Sequence, residues 1–82
     1  MTNDERVNAL RERTGALIKE IDAGLSMHDF RVVAGPSHTN LIFDIEAPFE
    51  CKLSEAEIKQ AVADRLSGWE GTFFAVITVD RQ

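Results

Sequence analysis

One strong helix signal lies between LIFDIEA (residues 41–47) and FFAVITV (residues 73–79), and this strand–helix–strand order constrains the chain more than any other feature. In the first segment Leu41, Phe43 and Ile45 alternate with Ile42, Asp44 and Glu46, the period-two pattern of a strand with one face covered. Pro48 closes it. Ser54 and Glu57 then stand at the three-residue spacing of a capping box, and Ile58, Ala61, Val62 and Leu66 fall on one helical face. SGWEGT breaks the helix, and the β-branched and aromatic run that follows reads as a well-buried strand. The connection is long enough for a parallel crossover of the usual right hand.

The remainder supplies a helix and a second strand. From Asp4 to Ile21 the apolar Val7, Leu10, Leu17, Ile18 and Ile21 recur at helical spacing, with Thr14 in the gap of the stripe. Asn3 or Asp4 suits the N-cap, and Gly24 suits the end. MHDFRVVA (27–34) alternates loosely, placing His28, Phe30 and Val32 on one side and Asp29, Arg31 and Val33 on the other. Gly35 and Pro36 turn it into the next strand as a hairpin.

At 82 residues there is room for one core only, so residues 1–82 form a single domain. Its order is helix, strand, strand, helix, strand. That order predicts an α+β fold, an open-faced αββαβ sandwich in which helices cover one face of a mainly antiparallel three-stranded sheet. The other face would show Val33, Ile42, Phe74 and Val76, an apolar surface that calls for a partner, most simply a second copy in a homodimer.

Charge and composition remove several functions. A net charge of −5 with scattered basic residues does not suit nucleic acid or an anionic membrane surface, which require clustered Lys and Arg. The single cysteine, Cys51, excludes an internal disulfide and any Cys-x-x-Cys metal motif, and reads as a free thiol in a reducing compartment. No apolar run reaches membrane-spanning length, and the first ten residues lack the apolar stretch of a signal peptide, so the expectation is a cytoplasmic domain. No nucleophile, base and orienting group are grouped in the sequence, which argues against an enzyme.

Imidazole and carboxylate are ligands for zinc and its first-row neighbours, and His28 begins the first strand while Asp80 ends the last. If those two strands pair antiparallel, His28 and Asp80 come within reach of one ion. The alternative is that His28 packs or hydrogen-bonds at a sheet edge. His38, in the PSHTN turn, and Asp22, close in sequence to His28, are further candidate ligands, and Trp69 reads as a hydrophobic lid.

IDAGLSMHDFRVVAGPSHTNLIFDIEAP, followed by KLSEAEIKQAVADRL and FFAVITVDRQ, resembles the C-terminal cytosolic domain of cation diffusion facilitator transporters over essentially the whole chain. The resemblance implies a metallochaperone-like, ferredoxin-like domain, with residues 1–24 as a connecting helix and 25–82 as a ββαβ core. It further implies a homodimer at the cytoplasmic face of the cell membrane, attached to the membrane domain of a parent transporter, with this chain as an excised domain or, alternatively, a natural stand-alone version. In that family divalent cations at the protomer interface draw the domains together. Zinc is the first expectation, with manganese and iron as alternatives. The family's HDLR-type motif maps onto His28 and the acid of its terminal H-x-D motif onto Asp80. Thr78 stands where that motif has histidine, leaving Asp22, Glu46 and His38 as substitutes and a constitutive structural dimer, without metal sensing, as the competing function. A small-molecule-binding regulatory domain rests on architecture alone.

Overall fold

The computed structural model describes residues 2–82, and its elements are α1 (Asn3–Ile21), β1 (Ser26–Ala34), β2 (Thr39–Ala47), α2 (Glu55–Leu66) and β3 (Phe73–Arg81). The fold is α+β, a three-stranded mixed sheet with two helices in the ferredoxin-like αββαβ order. β2 lies in the middle, antiparallel to β1 and parallel to β3.

Each helix starts on a side-chain cap. The Ser54 hydroxyl accepts from the Glu57 backbone N–H while the Glu57 carboxylate accepts from the Ser54 N–H, completing the capping box. The backbone N–H and then the hydroxyl of Ser54 hold the Glu57 carboxyl below its ordinary range. α1 is capped by Thr2, one residue before the positions expected, because the Thr2 hydroxyl accepts from the Glu5 N–H and frees Asn3 to enter the helix. Its end comes at Ile21, where extended Asp22 accepts the Gly24 N–H at 2.8 Å. Gly24 itself lies where an added Cβ would stand 2.9 Å from the Pro48 ring, so any other residue there would force the α1–β1 turn or Pro48 to shift.

The core sits between the helices and one face of the sheet. Leu41, Phe43, Ile45 and Ala47 of β2 point into it and meet Leu17 and Ile18 of α1 and Ile58, Val62 and Leu66 of α2. Trp69 closes one end, half-buried edge-on against Phe73 with the Arg13 guanidinium 3.9 Å over its ring.

Thr14 is fully buried in this core, and its hydroxyl has no hydrogen-bond partner among the described residues. A buried unpaired hydroxyl costs ~1–3 kcal/mol. Thr14→Val keeps the shape and removes that cost, so thermal unfolding should shift upward by about 4–8 °C for each kcal/mol recovered. An unchanged or lower midpoint would contradict the assignment.

Candidate metal centre

Because β2 separates β1 from β3, the antiparallel pairing expected for His28 and Asp80 does not occur. The parallel crossover through α2 sets β3 on one side of β2, and the short hairpin has already set β1 on the other. The two residues are thus two strand spacings apart across the sheet and two residues apart along it, ~12 Å between backbones. What the sheet brings together is different. His28 is opposite Asp44, and Asp44 is opposite Thr78; in the next row Ser26 is opposite Glu46, and Glu46 is opposite Asp80.

All of these side chains share the open face. Its other half carries Val33, Phe74 and Val76, each just over half exposed, around partly covered Ile42, as the alternation predicted. The face is therefore apolar toward the hairpin and acidic toward the opposite end.

His28 reaches the open face only through a bulge. The register slips between His28 and Arg31, and Asp29 adopts a left-handed φ of 55°. Without the extra residue, strict alternation would set His28 on the same side as Phe30 and Val32, as the sequence pattern suggested. With it, Phe30 stays in the core, its ring 5.9 Å from that of Phe43, while His28 turns outward. The signal available in the sequence was Asp29 itself, a residue that tolerates the left-handed region. Asp29→Val should lower stability by about 1–2 kcal/mol, since the left-handed conformation costs a β-branched residue that much, whereas Asp29→Gly should be neutral or slightly stabilising. Urea unfolding of both variants measures this; equal losses would argue against bulge strain.

The His28 Nε2 lies 3.7 Å from Glu46 Oε2 and 3.3 Å from the Ser26 hydroxyl. Asp44 and Asp80 flank this pair by register. Among the described residues no three His, Cys, Asp or Glu side chains converge closely enough to hold an ion. These side chains form a loose patch, one imidazole among carboxylates, spread over two rows of the open face. The bulge also leaves a shallow depression lined by Asp29, Phe30, Arg31 and Asp44 beside it.

The remaining candidates lie elsewhere. His38 is in the hairpin turn at the far end of the sheet, with Nδ1 3.0 Å from the Ser37 hydroxyl and its ring edge-on to Phe74. Asp22 is spent on structure, since it caps Gly24 and accepts from the buried Cys51 thiol at 3.6 Å. Glu46, one of the substitute ligands the sequence offers, is the residue that stands beside His28, and Asp44, which no sequence signal marks, lies directly across from it.

No family model, no curated protein and no solved structure matches the chain. No described helix is long and apolar enough to cross a membrane.

Proposed function

We propose that this chain is a divalent-cation-binding regulatory domain, a module that binds and associates and performs no catalysis, of the kind its resemblance to the cytosolic domains of cation diffusion facilitators implies. The observation that carries this reading is the patch of His28, Asp44, Glu46 and Asp80, spread over two adjoining rows of an open sheet face. Carboxylates gathered on one surface repel one another, and a cation relieves that repulsion. A nitrogen and oxygen donor set suits zinc, manganese and ferrous iron.

A flat surface fills only one side of a coordination sphere. A second copy supplies the other side, so the ion links two protomers and metal binding favours association through the open face by mass action. In the parent transporter this would draw together the two cytosolic domains beneath their membrane domains.

Calorimetric titration of chelator-treated protein with zinc, and then with manganese, tests this, with sedimentation velocity at each endpoint. Saturable binding and a rise in mass are expected. His28→Ala should weaken binding by about tenfold or more while leaving the circular dichroism spectrum intact. Loss of metal response in neither His28→Ala nor Asp80→Ala would reject the assignment.

One observation favours a second reading, a constitutive dimerisation domain. Thr78 stands at the β3 end of the row of His28 and Asp44, so the imidazole of the family motif is missing from that end of the candidate centre. No binding heat with either metal, together with a mass indifferent to chelator, would favour that reading.

A further inference from the structure

The two edges of the sheet are unlike. β1 is blunted by its bulge and by Asp29 and Arg31, the devices that keep an edge from pairing with another chain. β3 has neither. Every residue from Phe73 to Val79 is uncharged, and β3 contains no proline and no register shift against β2.

The peptide groups that β3 leaves unpaired can be assigned. The Thr39 N–H donates to the Thr72 carbonyl, and the Gln82 N–H donates to the Ala47 carbonyl, both at 3.0 Å. Even-numbered residues therefore turn their peptide groups toward β2 at both ends of the strand. Direction alternates along a strand, so Phe73, Ala75, Ile77 and Val79 present theirs outward.

We propose that the outer edge of β3 is a homotypic association edge, pairing antiparallel with β3 of a second copy about a two-fold axis at Val76. An axis there sets Ala75 opposite Ile77 and Phe73 opposite Val79 of the second copy, so each outward-facing residue meets another and both ladders of hydrogen bonds close. Every uncharged residue then meets an uncharged one. Asp80 and Arg81 fall beyond the pairing, opposite Thr72 and Gly71 of the second copy. Moving the axis to Ile77 also satisfies the peptide groups, but it sets Phe74 against Asp80 and Phe73 against Arg81.

The surroundings match this occupant. A groove of about 430 Å³ runs beside the edge between Ala63, Leu66 and Ser67 of α2 and Phe73 and Ala75 of β3. In the Val76 register it receives Ile77 and Val79 of the second copy, which are apolar. On the open face Val76 meets its own counterpart, and exposed Phe74 meets Thr78. The result is a continuous six-stranded sheet that needs no cation, so it stands or falls independently of the metal reading.

The test uses the whole chain in excess chelator, which silences any metal-linked association. Concentration-dependent dimerisation is expected by sedimentation equilibrium. Residues facing each other in a non-hydrogen-bonded antiparallel pair have Cα atoms ~4.5 Å apart, within disulfide range. Val76→Cys in a Cys51→Ala background should therefore cross-link under oxidised glutathione, whereas Val33→Cys, equally exposed on the far strand, should not. Ala75→Pro removes an outward N–H without touching the β2 ladder and should weaken association by about tenfold or more. If that variant fails to fold, the cysteine pair still decides the matter. A monomer at ~100 μM in chelator, or equal cross-linking through Val33→Cys and Val76→Cys, would overturn the proposal.

Discussion

Phe43→Ala should lower the unfolding free energy by about 3–5 kcal/mol, a change large enough to leave the chain barely folded. Phe43 is 1% exposed at the middle of the central strand, and its ring packs on Phe30. Truncation removes the transfer energy of the ring, leaves a cavity that two helices and a sheet cannot collapse into, and breaks an aromatic pair worth ~0.5–1.5 kcal/mol. Domains of this length hold roughly 4–12 kcal/mol in total. Ile42, the next residue on the same strand, faces the open side. Ile42→Ala should cost about 1 kcal/mol or less by the same urea titration. Comparable losses at the two positions would mean that the sheet is covered on both faces even in the monomer.

The second large effect is expected at Arg81. Its guanidinium donates to the carbonyls of Cys51 and Leu53, tying the loop before α2 to the end of β3. That loop must hold the capping box in place while the chain crosses from β2 to β3, and those two carbonyls belong to no strand or helix. Hydrogen bonds from a charged donor are worth ~1.5–3 kcal/mol, and exposure of Arg81 reduces that figure. Arg81→Ala should cost about 2 kcal/mol in thermal or urea unfolding. Arg81→Lys should recover less than half, because an ammonium cannot reach both carbonyls with a fixed fork. Full recovery by lysine would indicate that the charge, and not the paired geometry, matters.

Both predictions depend on where β2 lies, and this marks the limit of what the sequence discloses. Element types, their order and the face of each β2 residue were legible from the residues. Alternation in LIFDIEA, the Ser54–Glu57 spacing and the run FFAVITV are local signals, and local backbone preferences acted on them without opposition. The exposed apolar residues Val33, Phe74 and Val76 followed from the same alternation.

The site was less legible. The sequence offers His28 and Asp80 as a pair, with Glu46 as a substitute ligand, but that pairing depends on a β1–β3 adjacency that the sheet does not contain. Asp44 is not legible as a site residue, because a carboxylate on an exposed strand face looks like solubilising charge until its cross-strand neighbour is known. Asp22 is close to His28 in sequence yet is engaged with Gly24, and His38 lies in the turn at the far end of β1.

The residues alone determined that the chain makes two amphipathic helices and three strands around one core, because periodicity and capping are properties of short segments. Only the tertiary structure decided which strand stands in the middle and which way His28 points. Strand order is set by the hairpin and the crossover competing for the two sides of β2. The bulge at Asp29 arises because keeping Phe30 against Phe43 outweighs the strain of one left-handed residue.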